Sequence, residues 1–393
     1  MPRRITSAVL PQLSPESRDS FAKLLNAWYR EHARVLPWRG IRDPYRTWLS
    51  EIMLQQTRVA AVLEHYARFV ERFPTMVALA LASEADVLAA WSGLGYYRRA
   101  RMMHRTALLL VQEHRGALPS TAAELRRLPG IGLYTSAAIA SIAFGERIAV
   151  VDGNVERVLL RILGQPETPG AAAAEQLNAV AQSLLPPGDP GDHNQAMMEL
   201  GATVCLPRGP RCDVCPVFAL CRTRGEHGTV ARAPMRSQRA VYALATRKAG
   251  GGSVNVEILL QERPLDVSLM PGMLELPQVE GPEEGEPEAD RDAQPSLVLR
   301  QEPVLRVRHA IVGTNYYVEV LALPGRREVK KRALRSDGLQ WVHTRELAHR
   351  PLTGLARKVL QRLRLMKASG EEKTPDVPLL IGRASRAATG KES

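Results

Sequence analysis

Cys205-Leu206-Pro207-Arg208-Gly209-Pro210-Arg211-Cys212-Asp213-Val214-Cys215-Pro216-Val217-Phe218-Ala219-Leu220-Cys221 holds all four cysteines of a 393-residue chain. The spacing is C-x6-C-x2-C-x5-C. Four thiols crowded into one short window of an otherwise cysteine-free chain read as a metal-ligand set, not as a disulfide framework. A cysteine quartet holds tetrahedral zinc or an iron–sulfur cluster. Zinc sets usually bring two CxxC pairs or closely spaced histidines. Here there is one CxxC, Cys212 and Cys215, so the spacing favours a [4Fe–4S] cluster over zinc.

Working upstream, Leu128-Pro129-Gly130-Ile131-Gly132 lies between two stretches of helical periodicity. Two glycines permit a tight turn and close backbone approach, because neither carries a Cβ. The helix that follows presents free N–H groups at its N-terminus, a geometry that suits a phosphate. About twenty residues further on comes Val151-Asp152-Gly153-Asn154-Val155.

These three motifs, in this order and at these distances, resemble the endonuclease III superfamily of DNA glycosylases. Ser50-Glu51-Ile52-Met53-Leu54-Gln55-Gln56-Thr57 narrows the resemblance to the MutY-type adenine DNA glycosylases. It spans about 15–366. The implied architecture is multidomain. An all-α helix-hairpin-helix glycosylase core with a [4Fe–4S] module is followed by an α+β Nudix-like domain. The expected boundaries are an N-terminal extension at 1–14, the core at 15–221 with the cluster loop at 205–221, and a linker at 222–235. The Nudix-like domain follows at 236–366, then a disordered tail at 367–393. The core should comprise a six-helix barrel and an iron–sulfur module, with the substrate between them.

Composition agrees with a polyanion binder. The formal net charge is +12, with 53 Lys and Arg against 41 Asp and Glu. A basic surplus is the footprint of nucleic-acid binding, although solubility alone can also produce it. The N-terminus leads into no long apolar run, and no stretch approaches the ~20 apolar residues of a membrane span. A reduced cytoplasmic setting is expected, nucleoid-associated in a bacterium, which also suits thiolates kept for a metal.

Periodicity supports the division. Phe21 to Tyr29 and Val59 to Val70 repeat apolar residues at helical spacing. Ser83 before Glu84 and Asp86 marks a capped helix running to Trp91, and Ser120 with Glu124 marks another start. After Cys221 the texture turns to alternating runs: Ala240–Ala245, Val254–Leu260 and Tyr316–Leu321. Leu355 to Leu365 reads as a closing helix. Residues 280–295 are acidic and rich in Pro and Gly, consistent with an exposed loop.

Chemistry centres on two carboxylates. Trp48, Ile52 and Leu54 place apolar groups around Glu51, so its carboxyl should be desolvated and able to hold a proton near neutral pH. A general acid for a poor leaving group needs that. Loss of a base leaves an oxocarbenium ion at C1′, and a second carboxylate belongs beside that sugar. Asp152 is the candidate, as electrostatic stabiliser or as covalent trap. Asn154 orients Asp152 or the attacking water. In bifunctional relatives the residue two past the last hairpin glycine is a Lys that forms a Schiff base. Here it is Tyr134, which cannot form an imine, so a monofunctional glycosylase is expected.

The resemblance implies further roles. Gly130 and Gly132 grip the DNA backbone, with a monovalent cation at the hairpin. Gln56 and Tyr96, in Gln55-Gln56-Thr57 and Gly93-Leu94-Gly95-Tyr96-Tyr97, wedge into the duplex; a capped helix end and a packed aromatic turn are the plain alternatives. Trp38, Arg39, Leu54 and Gln195 line the adenine pocket, Arg39 by a hydrogen bond to the base edge. Cys205, Cys212, Cys215 and Cys221 hold the cluster, which folds the loop and presents Arg208, Arg211, Arg222 and Arg224 to phosphate. Leu259–Arg263 and Met273–Pro277 resemble the Nudix-like domain, but the metal-binding Glu box of Nudix hydrolases is missing. That domain reads the base opposite adenine, 8-oxoguanine. Where common members carry Phe-Ser-His, this chain has Ile311-Val312-Gly313, which weakens the case for 8-oxoguanine over guanine. The expected partner is double-stranded DNA with 8-oxoguanine·A or G·A mispairs, bound by a monomer without a membrane. The rivals are a mismatch thymine glycosylase, an endonuclease III-type lyase and a non-catalytic DNA-binding protein.

Overall fold

The computed structural model describes residues 10–167, 171–230, 234–248, 256–279, 302–311, 313–323 and 338–366. The acidic stretch at 280–295, the tail at 367–393, Val312 and residues 1–9 lie outside the described residues. In chain order the helices are α1 (Pro15–His32), α2 (Pro44–Leu54), α3 (Val59–Arg72), α4 (Met76–Leu81), α5 (Glu84–Trp91) and α6 (Arg98–His114). They continue with α7 (Ala122–Leu125), α8 (Leu133–Phe144), α9 (Gly153–Leu163), α10 (Ala171–Leu184) and α11 (Pro190–Thr203). Among the described residues, seven strands and a last helix, α12 (Gly354–Arg362), follow.

Two compact units result. The first comprises Met1–Ala82 and Met102–Arg232, the second Ser83–Arg101 and Ala233–Ser393. Among the described residues the first unit is helical, as its periodicity predicts. Several helices start where a side chain satisfies the orphan N–H groups of the first turn. Ser14 caps α1 and Asp43 caps α2, each followed by Pro at the first turn, where a missing N–H costs nothing. Ser83 caps α5, as its sequence indicates. At α7 the cap is Thr121, not Ser120. The Thr121 hydroxyl accepts from the Glu124 N–H and donates to Glu124 Oε2 at 2.8 Å, so a hydroxyl three residues before the Glu wins the position.

The core of this unit gathers one face of four helices. Phe21 and Leu25 of α1 pack with Val155, Val158, Leu159 and Ile162 of α9, Leu177 and Val180 of α10, and Ala196, Met197 and Leu200 of α11. Each such side chain contributes about 1.5–3 kcal/mol on burial. Residues 222–230, expected as linker, are bonded back to this unit. The Arg222 and Thr223 N–H groups donate to Ile162 O and Arg161 O at 3.1 Å each, and Val230 N–H donates to Glu167 Oε2 at 2.9 Å. Backbone groups that extend the end of α9 find partners there, which a reading of composition does not register.

The second unit is built on strand β1 (Arg236–Lys248), whose two ends serve different partners. Its residues 236–245 run parallel to β6 (Thr314–Leu323), and its last three pair antiparallel with β2 (Val256–Glu262). The path is β3-β2-β1-β6-β5, with β3 at Leu274–Glu275 and β5 at Leu305–Ile311. The short β4 (Gln278–Val279) joins β1, and β7 (Leu339–His343) joins β2. Alternation along the strands sends Tyr242, Leu244, Ile258, Leu260, Val318 and Val320 to one face, where Leu355, Val359 and Leu360 of α12 cover them.

The hairpin between α7 and α8 is fixed by backbone geometry. Gly130 sits at φ +76°, and a Cβ there would lie 2.6 Å from Met102 Cβ. The Thr106 hydroxyl donates to the adjoining Pro129 carbonyl at 2.6 Å. Replacing Gly130 with Ala therefore meets both strain and overlap. An expected loss of about 2 kcal/mol, read from urea unfolding of the two proteins, checks this account.

Candidate active site

Helix α2 carries Glu51 among Trp48, Leu49, Ile52 and Met53, each 4 % exposed or less. Glu51 itself is 5 % exposed, so water hydrates the carboxyl poorly. Burial pushes its pKa up to about 7, against the opposing pull of a hydrogen bond from Tyr134; the Asp152 charge adds to the rise and Arg39 opposes it. The Tyr134 hydroxyl donates to Glu51 Oε2 at 2.6 Å and also meets Met198 Sδ at 3.4 Å. Burial, with Glu51 and Asp152 nearby, holds the Tyr134 phenol well above its ordinary range, so it stays a donor. The residue read from sequence as a missing lysine thus acts in its own right and fixes the Glu51 carboxyl.

Asp152 is the N-cap of α9. Its Oδ1 accepts from the N–H groups of Asn154 at 2.9 Å and Val155 at 2.8 Å. Its Oδ2 accepts from Asn154 Nδ2 at 2.8 Å, the geometry an orienting role for Asn154 requires. The line continues. Arg157 Nη2 donates to Asn154 Oδ1 at 2.9 Å, and Arg157 Nε donates to the Cys205 carbonyl at 2.8 Å. Close contact makes this possible: a Cβ at Gly201 of α11 would lie 2.6 Å from Asn154 Cβ.

The proposed pocket residues fall as follows. Trp38 is buried edge-on against Tyr66 at 5.1 Å. Leu54 and Gln195 are half-buried, and Gln195 lies on α11 three residues before Met198. Arg39 is spoken for. Its Nη2 donates to Glu199 Oε2 at 2.6 Å, its Nη1 to Arg34 O at 3.1 Å, and its guanidinium lies over the Tyr29 ring. Sequence reading missed Glu199 and Arg34. Glu199 has no exposed side-chain surface and also receives Arg34 Nε and Nη2 at 2.7 Å each, with the Arg34 backbone N–H at 3.1 Å. A Glu among Ala196, Met197 and Leu200 was the available signal, since a buried charge demands a partner.

At the hairpin, Gly132 caps α8 with no side chain over the N-terminus, and the space a Cβ would take is open. Gln55 Nε2 donates to Thr135 Oγ1 at 2.9 Å, tying the end of α2 to the first turn of α8. Gln56 and Tyr96 are exposed and both take left-handed backbone, at φ 56° and 49°. That region is disfavoured for side chains with a Cβ, and strain of this kind gathers at functional positions.

The four cysteines are half-buried and unbridged. Burial raises the Cys215 thiol to about 11, and its three fellow cysteines add to the rise. Arg161, 2 % exposed, gives Nη1 to Cys205 Sγ at 3.3 Å and to Leu206 O at 2.7 Å, and Nη2 to Pro207 O at 2.9 Å. Among the described residues no group of three or more His, Cys, Asp or Glu side chains is placed to hold a metal ion.

Part of the chain is similar to known proteins. Residues 49–184 match the HhH-GPD superfamily base excision DNA repair protein family. The adenine DNA glycosylase of Homo sapiens is 47 % identical over 215 residues, covering 52 % of this chain and 39 % of that protein. That of Mycobacterium tuberculosis (strain CDC 1551 / Oshkosh) is 43 % identical over 196 residues, covering 49 % of this chain and 64 % of its own length. The chain thus spans less than two thirds of the length of these relatives. A solved thermostable thymine-DNA glycosylase aligns at 27 % identity and TM-score 0.49, over 53 % of this chain and 97 % of that one.

Two buried glutamates carry opposite pH signatures. Glu51 is raised from 4.5 to about 7, so the folded state binds the extra proton and stability falls as pH rises from 4.5 to 7. Glu51→Gln should therefore be the more stable protein at pH 8, by on the order of 2–3 kcal/mol. Burial works to raise Glu199, but Arg34 and Arg39 reverse this and bring it down from 4.5 to about 2. Its contribution is present above 4.5 and fades as pH falls towards 2. Glu199→Gln should cost about 3 kcal/mol at pH 7, and less with each step down through that window. Urea unfolding of both variants across pH reads the two signs.

Proposed function

From the match of residues 49–184 to the HhH-GPD superfamily, we propose that this chain is a monofunctional adenine DNA glycosylase. It flips adenine out of mispairs with 8-oxoguanine or guanine and hydrolyses the N-glycosidic bond. The observation that carries the reading is Glu51, buried at 5 % exposure with its carboxyl raised to about 7 and held by Tyr134.

A base must leave the stack before a side chain reaches its glycosidic bond. Adenine leaves poorly as an anion. Protonated Glu51 gives its proton to N7, and the C1′–N9 bond breaks to release a neutral base. The sugar carries the positive charge as an oxocarbenium ion. Asp152, its Oδ1 fixed by two backbone N–H groups, stands as the counter-charge or the covalent trap. Water adds at C1′ and leaves an abasic site. Tyr134 offers no amine for a Schiff base, so the strand stays intact. Gly130 and Gly132 grip phosphate beside the uncapped start of α8, with a monovalent cation at the turn, and Gln56 and Tyr96 fill the gap left by the flipped base.

The cysteine window suits a [4Fe–4S] cluster. The donors are four half-buried, unbridged thiols gathered in one loop, and metal binding is what would draw them into the thiolate state. A four-iron cluster takes one thiolate per iron, so its ligands need not converge on a single ion. Bound there by Cys205, Cys212, Cys215 and Cys221, it would supply folding energy to the loop. Arg161 and Arg157 already brace that loop through its carbonyls. The sheet unit is read as the Nudix-like domain, which would recognise the base opposite adenine.

Single-turnover release of adenine from duplexes with A opposite 8-oxoguanine, G or T tests this. Release opposite 8-oxoguanine and G is expected, with strand breakage only after alkali. The rate should fall as pH rises through about 7, where Glu51 loses its proton. Glu51→Gln should retain duplex binding and lose release by at least about 10³-fold. Retention of release in that variant overturns the assignment of the general acid.

A further inference from the structure

The turn Ser92-Gly93-Leu94-Gly95-Tyr96-Tyr97 belongs to the second unit, although it lies in the sequence between two stretches of the first. Residues from the far end of the chain hold it there. The Leu352 carbonyl accepts from the Ser92 hydroxyl at 3.0 Å and from the Tyr97 hydroxyl at 2.8 Å. Arg357 Nε, on α12, donates to the same Ser92 hydroxyl at 2.9 Å. Ser92 is 4 % exposed, Tyr97 is 2 % and Leu352 is fully buried, so these bonds form away from water, where each unmet group costs about 1–3 kcal/mol.

The acceptor is itself fixed. Leu352 lies in a parallel bridge to Leu274, with Leu274 N–H donating to Pro351 O and Thr353 N–H donating to Leu274 O. The Leu352 carbonyl between those two links is therefore held in one direction. Within the turn, Trp91 Nε1 donates to Gly95 O at 3.1 Å. The Arg99 guanidinium lies over the Trp91 and Tyr96 rings at 5.4 and 5.2 Å. What remains outside is Tyr96, 47 % exposed and in left-handed backbone at φ 49°. An exposed aromatic in a disfavoured conformation persists only where its surroundings over-determine it. Here Trp91 and Arg99 hold the turn from within, and Leu352 and Arg357 hold its two ends at Ser92 and Tyr97.

We propose that Arg357 is a positioning residue for Tyr96: through Ser92 and the Leu352 carbonyl, the C-terminal segment sets the conformation of the turn that enters the duplex. The proposal rests on the reading of Tyr96 as the wedge. A glycosylase core without this segment would then carry Glu51 and Asp152 intact and still present its wedge poorly. Pre-organisation of a binding turn is worth more than its contact area, because the ordering cost is met before DNA arrives.

The test uses the full chain with Arg357→Ala, Arg357→Lys and Tyr96→Ala. Two readouts are amide hydrogen exchange in the free protein and single-turnover adenine release with a KM-type titration of DNA. Arg357→Ala should speed exchange at 92–97 at least about tenfold, as loss of a buried bond of about 1.4 kcal/mol would. Exchange in α2 and α9 should stay unchanged. The same variant should weaken half-saturation by DNA more than it slows release at saturation, with Arg357→Lys restoring part of the effect. Unchanged exchange at 92–97 overturns the proposal. So does faster exchange with parent-like DNA titration, provided Tyr96→Ala is itself impaired. If Tyr96→Ala behaves as the parent in both DNA readouts, the wedge reading is what fails.

Discussion

A carboxylic acid kept out of water is the constraint around which the helical unit is arranged. Glu51 sits in α2, where every residue from 47 to 53 is buried, so the same packing that stabilises the helix strips the carboxyl of hydration. A charged group in that position would cost several kcal/mol, and the protein meets the cost by protonation, not by a salt bridge. Tyr134 supplies a strong hydrogen bond, at 2.6 Å, from the first turn of α8. The hairpin at Gly130 and Gly132 sets where that turn begins. Backbone geometry at the hairpin and proton chemistry at Glu51 are therefore coupled through a single helix.

Glu199 shows the other solution to the same problem. It is buried just as deeply, yet it stays ionised because two arginines meet it with four hydrogen bonds. The contrast between Glu51 and Glu199 lies entirely in their company. Arg39 ties the two together, since it is bonded to Glu199 and its charge acts on Glu51. The stretch from Arg34 to Arg39 is thereby pinned to α11, the helix that also carries Met198 against Tyr134.

Asp152 joins a local rule to a distant one. As the cap of α9 it satisfies two backbone donors, a role any Asp before a helix performs. Through Asn154 and Arg157 it is also bonded to the carbonyl of Cys205. The cysteine window, whatever it holds, is thus mechanically connected to the carboxylate proposed to stand beside the sugar. In the second unit the corresponding device is the Leu352 carbonyl, which fixes a turn 255 to 260 residues earlier in sequence.

The sequence by itself determined the elements whose causes are local. The cap at Ser83, the helices around Phe21 and Val59, the strands at Ala240 and Tyr316 and the glycine turn at Gly130 follow from short-range sterics and periodicity. So does the placing of Glu51 among apolar neighbours on one helix. Residues 222 and 223 bond carbonyls at the end of α9, and no local pattern marks a recruited backbone. Only the tertiary structure decided that Tyr134 bonds Glu51, that Arg39 faces Glu199, and that Arg157 links Asn154 to Cys205. It likewise assigned the turn at Ser92 to the second unit. In each case the partners are far apart in sequence. A buried polar group announces that it needs a partner, but only the packing of helices on helices and strands on strands says which one it meets.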